Sequence, residues 1–469
     1  MSIPVITVAQ MREWETAAWA AGQTEAEVIR RVGQKLAARL LQLTRPGDVI
    51  LILAGKGNNG NDVRAAVEHL SARRVELLNV HSPEVVLPRL QELLQQKPAW
   101  IVDGLFGIGL NRPLDAAWQQ FINTVNGTKI PVLAMDAPSG LNADTGQTFG
   151  AAIEAAMTLT VGAPKAGMLG AAAWPFVGRL EVLDDVGLSP CPHHTGLNWI
   201  IPDDFDAFPP RRPVAGHKGT FGHLAIVAGS FGYHGAAVLA ARGAQRAQPG
   251  LITVYTQENV YHPIASQLQS PMVNVWEPDV QLFEDATALL IGPGLAGLDV
   301  PDNMRNIVRR LWRDCDFPIV ADATALDWLV SQPVPRHAIR VVTPHPGEAA
   351  RMLNTTTQRV QANRLHATRE LSKRFSNCRV VLKGHQTLSG RNDGEVFINP
   401  SGNPYLAQGG SGDVLAGFIA GWLAQPALRT DADQAIRYAV WQHGNAADRL
   451  QSSRRNWGVE DLLEELGNV

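Results

Sequence analysis

Cysteine is scarce: three in 469 residues, at Cys191, Cys315 and Cys378, odd in number and far apart. They make neither a disulfide framework nor a zinc-binding spacing, and a reducing compartment, the cytoplasm, is expected. No apolar run nears the length needed to span a bilayer, so no membrane partner is expected. The first 22 residues lack a basic region followed by an apolar core, which argues against a secretory signal. Neither sign of charge dominates: 41 basic against 44 acidic residues leave −3. That balance offers no footprint for nucleic acid. Short-period repeats and low-complexity tracts are missing as well. What remains is 45% hydrophobic and 18% charged, ordinary for folded globular protein. The length exceeds what one hydrophobic core normally serves, so two or three domains are expected.

Short runs rich in Val, Ile and Leu alternate with helical patterns, at 49–54, 100–103, 131–136, 224–228, 288–291, 318–321 and 379–383. Apolar on both faces, they predict buried strands of parallel sheets with helices packed on each side. Residues 187–216 break the rhythm with Pro190, Pro192, Pro202, Pro209, Pro210 and Pro213. A domain boundary is placed there, near 195, dividing the chain into 1–195 and 196–469.

In the first half the run at 49–54 leads into Gly55-Lys56-Gly57-Asn58-Asn59-Gly60-Asn61-Asp62, with a helical pattern to about Leu70. Strand, glycine loop and helix make an anion site, because free N–H groups at the helix start face a phosphate. Gly55, Gly57 and Gly60 also satisfy GxGxxG, a weak match taken alone. The acidic residue expected some 20 positions on is missing, since the next run ends in His81-Ser82. This disfavours an ordinary hydride-transfer enzyme. Asp103 and Asp136 with Ser139 follow later strand ends, and ligands of an open parallel sheet collect beyond such ends. Asn58, Asn59, Asp62, Asp103, Asp136 and Ser139 are therefore expected to converge on one crevice. The alternative is that each Asp caps the turn or helix it precedes.

The second half carries Gln408-Gly409-Gly410-Ser411-Gly412-Asp413 before a helical pattern that runs through Leu423. The glycines let the backbone curl and present N–H groups to a phosphate at the helix mouth. Asp413 sits among those donors, where its charge would repel a phosphate. It makes sense as a base taking the proton of a hydroxyl that attacks a terminal phosphoryl group; the alternative is a helix cap.

Asn58-Asn59-Gly60-x-Asp62, Asp103-x-Leu105-Phe106-Gly107-x-Gly109 and Asp136-x-Pro138-Ser139-Gly140 with Asp144-Thr145-Gly146 resemble the NAD(P)H-hydrate epimerase family, over roughly residues 8–188. The resemblance implies that Asn58, Asn59, Gly60, Asn61 and Asp62, with Gly107, Ile108, Gly109, Leu110, Asn111, Arg112 and Pro113, hold a hydrated dinucleotide. It also implies that Asn59, Asp103 and Ser139 supply hard oxygen ligands to a potassium ion, and that Asp136 binds substrate and acts as acid/base. Lys165 fits a family position too.

The loop before Asp413 is similar to the ribokinase-like superfamily, and within it to the ADP/ATP-dependent NAD(P)H-hydrate dehydratases. His217-Lys218-Gly219, Gly235-Ala236-Ala237, Gly292-Pro293-Gly294, Thr343-Pro344-His345-Pro346-Gly347-Glu348, Lys383-Gly384-x-x-Thr387 and Trp441-x-His443-Gly444 extend the match over about residues 213–450. By that resemblance Lys383, Gly384, His385, Gln386, Thr387 and Gly412 hold the nucleotide. Ala237, Gly294 and His345 border the hydrate, and Asp413 is the catalytic base.

The two resemblances together imply an α/β chain, with a Rossmann-like parallel-sheet domain followed by a ribokinase-like α/β domain. They imply epimerisation of the R and S hydrates of NADH and NADPH, then ADP-dependent dehydration of the S hydrate with release of AMP and phosphate. Magnesium would accompany ADP or ATP, and a homo-oligomer is expected. The other reading is a ribokinase-like small-molecule kinase with a non-catalytic dinucleotide-binding first domain.

Four places depart from the family pattern. Asn61 and Val63 replace glycines, and a β-branched Val is expected to strain a loop needing positive φ. Arg30 replaces a carboxylate, a change expected near the dinucleotide. Thr324 stands where Asp is usual, and Met272 follows Ser270-Pro271 without the usual Glu.

Overall fold

A computed structural model describes residues 2–277, 285–335 and 337–468. The chain divides into a unit spanning Ile3–Thr195 and a second that comprises Gly196–Val469 with the first two residues.

In the first unit six strands lie in the order Arg74–Asn79, Val49–Ala54, Trp100–Gly104, Val132–Met135, Met157–Val161, Arg179–Leu183. All neighbours are parallel. Central strands are buried along nearly their whole length, which is why they read as continuous apolar runs rather than alternating ones. The site lies where Val49–Ala54, Trp100–Gly104 and Val132–Met135 end.

The expected glycine loop is shorter than its sequence pattern. Helix Asn58–Val67 starts directly after Gly57, so Asn58 to Asp62 are helical. A side chain on Gly60 would meet the Gly55 carbonyl at 2.1 Å, and one on Gly55 would meet the Leu105 carbonyl at 2.0 Å. These glycines serve close backbone packing.

The strain expected at Val63 is absent. Val63 lies inside the helix, fully buried, and is not among the positive-φ residues. Room for it comes from Gly104, where a Cβ would lie 2.5 and 2.6 Å from the Val63 methyls. The expectation for Arg30 also needs correction. Its guanidinium faces solvent and pairs with Glu27 at 2.8 Å, while Val28, Ile29 and Val32 of the same helix, Glu25–Leu43, line the cleft.

The second unit's strands run in the order Leu197–Trp199, Val396–Ile398, Leu388–Gly390, Arg379–Leu382, Arg340–Val342, Ile319–Ala321, Ala288–Ile291, His223–Val227, Leu251–Thr256, Met272–Val275. Pairing is parallel except on the two sides of Leu388–Gly390, where the chain returns antiparallel. Helix Ser411–Leu423 is buried from Val414 onward, against helix His234–Arg246. A Cβ on Gly417 would touch the Ala240 carbonyl at 1.9 Å, so the two helices meet backbone to backbone. Cutting a buried side chain such as Phe418 to Ala there would cost about 3–5 kcal/mol. This packing fixes the end of the helix that carries Asp413.

Candidate active sites

The first unit holds a cleft of 750 Å³. Its lining includes Asn58, Asn59, Asp62, Asp136 and Gly107 to Arg112. Asp103 and Ser139 lie beneath, both fully buried. Ser139 Oγ donates to Asp103 Oδ1 at 2.6 Å and accepts from the Phe106 N–H at 2.8 Å. The Ser139 and Leu105 N–H groups also donate to that carboxylate. Burial still pushes Asp103 up to about 6, against the pull of those hydrogen bonds. Asn59 is 7% exposed, and neither end of its side-chain amide has a hydrogen-bond partner among the described residues. A buried, unpartnered amide oxygen is costly. Together with a buried carboxylate it fits a cation of potassium's type.

Asp136 follows strand Val132–Met135 in the left-handed region, φ 61°. Its Oδ1 takes the Lys165 ammonium at 2.8 Å, the Val161 N–H at 3.2 Å and the Thr160 hydroxyl at 3.3 Å. Lys165, which is fully buried, also donates to Thr160 and the Val161 carbonyl. Asp136 Oδ2 points toward Gly107, where a Cβ would sit 3.5 Å away. One oxygen is anchored and the other faces the cleft.

Two cleft carboxylates escaped the sequence reading. Glu15, from helix Val8–Ala20, and Glu25 come from ahead of the sheet and carry no loop signature. Burial, then Asp136, raises the pKa of Glu15. Burial, followed by Asp136, Glu15 and Glu25, pushes the Asp62 carboxyl well above its ordinary value. Asp136, by contrast, keeps the Lys165 ammonium beside it. Pro113 is not among the lining residues, although Gly107, Ile108, Gly109, Leu110, Asn111 and Arg112 are.

In the second unit, Gly410 at φ 98° turns the chain into helix Ser411–Leu423, with Asp413 in its first turn. A Cβ on Gly412 would lie 3.3 Å from Lys383 Nζ. That ammonium also donates to Asp322 Oδ1 at 2.8 Å, and Thr343 Oγ1 donates to the same oxygen at 2.7 Å. Burial disfavours the Lys383 charge, but Asp322, Glu348 and Asp413 outweigh it and the pKa rises. Burial, then Asp322, pushes Asp413 up to about 7, with Lys383 opposing.

Gly384 (φ 127°) and Gln386 (φ 52°) bend the chain after Lys383, and Thr387 Oγ1 donates to the Gly384 carbonyl at 3.0 Å. Arg364 grips that bend, donating to the carbonyls of Leu382 at 3.0 Å, Lys383 at 3.3 Å and His385. His443 props the glycine loop, its Nε2 donating to the Ser411 carbonyl at 3.0 Å, and burial lowers it to about 4, so it stays neutral. Nothing in the spacing marked Arg364 for this work.

His345 caps helix Pro346–Leu353. Its Nδ1 accepts from the N–H groups of Gly347 and Glu348, and Glu348 Oε2 accepts from the His345 N–H. With Nδ1 accepting, the ring presents Nε2–H, 3.6 Å from Glu348 Oε1. Gly294 (φ 67°) lies against the Tyr233 carbonyl, and its own carbonyl accepts from Ser230 at 2.6 Å. Ala237 is fully buried in helix His234–Arg246, so it offers a ligand no side-chain surface.

A family profile described as NAD(P)H-hydrate dehydratase matches residues 224–466, and one described as YjeF-related protein N-terminus matches residues 79–167. The chain is 34% identical to the bifunctional NAD(P)H-hydrate repair enzyme Nnr of Coxiella burnetii, across 97% of each chain. It is 33% identical to that of Escherichia coli K12, over 89% of this chain and 84% of the relative. A solved ribokinase-like superfamily protein from Enterococcus faecalis is 27% identical with a TM-score of 0.51, over 59% of this chain and 96% of that one. No helix among the described residues is long and apolar enough to cross a membrane. Full-length similarity and the two domain matches lead to one assignment: the chain belongs to the family of bifunctional NAD(P)H-hydrate repair enzymes, an epimerase-related domain followed by an NAD(P)H-hydrate dehydratase domain.

Proposed function

We propose that residues 196–469 dehydrate the S hydrates of NADH and NADPH at the expense of ADP, and that residues 1–195 interconvert the R and S hydrates. The observation that carries this reading is Asp413, a half-buried carboxyl in the first turn behind a glycine loop, raised to about 7 and facing the Lys383 ammonium. The terminal phosphoryl group of ADP would sit at that helix mouth, against first-turn N–H groups and the Lys383 ammonium. Asp413 takes the proton of the ring hydroxyl as its oxygen attacks phosphorus and AMP leaves. Loss of phosphate, with a proton lost from the neighbouring ring carbon to solvent, then restores the ring double bond of the reduced nicotinamide, because phosphate leaves far more readily than hydroxide. His345 would border the hydrate, its Nε2 lying 3.6 Å from Glu348 Oε1. Magnesium, arriving with the nucleotide, would supply charge neutralisation at the phosphates.

In the first unit Asp136 is the acid/base group, its Oδ1 fixed by Lys165 and its Oδ2 turned to the cleft. A potassium ion would be held by Asn59, Asp103 and Ser139 and would supply positive charge to the cleft. The test is to mix the purified protein with both hydrate epimers and ADP and follow the return of reduced-ring absorbance. Complete return is expected; a stable phosphorylated product without the reduced ring would refute dehydration.

A further inference from the structure

A second cavity in the Gly196–Val469 unit lies outside both sites. It measures 220 Å³ and is lined by Arg379, Arg391, Arg437, Asp433, Glu395 and Ser389 among others. Its residues share one sheet face by register. Val381 pairs with Ser389 and Ser389 with Phe397. The two-residue pleat then puts Arg379, Ser389, Arg391, Glu395 and Phe397 on the same side. Helix Ala432–Ser453 covers that side with Asp433 and Arg437.

Three guanidinium groups face two carboxylates in the lining, with a third carboxylate, Asp393, outside it. Arg379 is matched, its Nε donating to Asp433 Oδ1 at 2.8 Å. Arg391 reaches the same carboxylate only at 3.6 Å and a solvent-exposed Asp393 at 3.9 Å. Arg437 stacks 4.0 Å over the Phe397 ring and donates Nε to the Asp433 carbonyl, with no ion pair among the described residues. Glu395 would oppose an anion, but its Oε1 is engaged by the Asn198 amide at 2.9 Å. An independent sign is Ser389: 3% exposed, its hydroxyl has no hydrogen-bond partner among the described residues. A buried hydroxyl left unpaired beside under-neutralised guanidinium groups matches an absent acceptor.

We propose that this cavity binds a small oxyanion, phosphate or carboxylate, through Arg391 and Arg437 with the Ser389 hydroxyl donating a third hydrogen bond. The site is separate from the phosphate loop: Arg379 opens strand Arg379–Leu382, whereas Lys383 follows the strand's other end. The test is calorimetric titration of the full chain with inorganic phosphate, and separately with succinate, the catalytic site being saturated with ADP and magnesium. One equivalent of at least one of these anions should bind. Arg391→Gln with Arg437→Gln should weaken it at least tenfold, Ser389→Ala several-fold, and thermal unfolding without the anion should show that each variant is folded. The arm that binds identifies the oxyanion. No binding in either arm, or equal binding by the folded variants, would overturn the proposal. Should the double variant not fold, Ser389→Ala alone decides by the same criterion.

Discussion

Lys165 Nζ lies 2.8 Å from Asp136 Oδ1, the ammonium fully buried and the carboxyl nearly so. Removing one member of such a pair leaves an uncompensated buried charge, at about 3–5 kcal/mol. Lys165→Met is therefore expected to lower the unfolding midpoint of the first unit and to slow epimerisation, while dehydration of the S hydrate continues. Unfolding and epimerisation at wild-type levels would show that Lys165 neither stabilises nor positions Asp136.

Asp413→Asn removes the base without changing side-chain volume. Turnover should fall by roughly 10²–10⁴, with ADP affinity kept within a few-fold. The sign of the pH effect follows from a carboxyl raised to about 7. A base must be deprotonated, so kcat/KM for the hydrate should climb about tenfold per pH unit below 7 and flatten above it. Rates that are flat between pH 5 and 7, or near wild type in the variant, would remove Asp413 from the chemistry.

Epimerisation should be faster in potassium than in choline chloride at equal ionic strength, and Asn59→Leu should abolish the difference. Leucine keeps the volume and deletes the unpartnered amide, so thermal stability should hold or rise. Persistence of the potassium effect in Asn59→Leu would exclude this residue as a ligand.

Val63 and Gly104 fit each other as one packing unit. Gly104→Ala should cost about 1–3 kcal/mol by overpacking. Val63→Gly, which restores the residue usual in the family, should cost on the order of 2–4 kcal/mol through lost burial and a helical glycine. Urea unfolding checks both. With Val63→Ala as the third single variant, the double variant Val63→Ala/Gly104→Ala should cost less than the sum of its own two single changes, because each relieves the other; simple additivity would contradict the contact.

A chain of residues 196–469 is expected to fold by itself and dehydrate S hydrate at a rate close to the intact protein's. Circular dichroism and the absorbance assay together check this. An unfolded fragment would mean that the proposed domain boundary is misplaced.

Strand positions and the Asp413 loop were legible because each is local, an apolar run or a glycine cluster at a helix start. Contributions from distant segments were not. Glu15 and Glu25 reach the first cleft from helices that precede the sheet, and Arg364 grips the Lys383–Thr387 bend from a helix before its strand. Nothing in their immediate neighbours announces a site. Val63 misled for a related reason: a glycine pattern signalled strained backbone, whereas the fold uses a helix there, and the compensating Gly104 lies 41 positions later in the sequence.

Strand Arg379–Leu382 bears Arg379 at one tip and hands the chain to Lys383 at the other, about 13 Å away at the rise of a β-strand. Because side chains alternate along a strand, both tips are set by one choice of pairing with Arg340–Val342. A slip of one residue would turn the guanidinium to the opposite face and draw the ammonium away from Gly412 in the same movement. Insertions or deletions within these four residues are therefore forbidden on two counts, so the segment's length is fixed more tightly than its plain Val-Val-Leu content suggests.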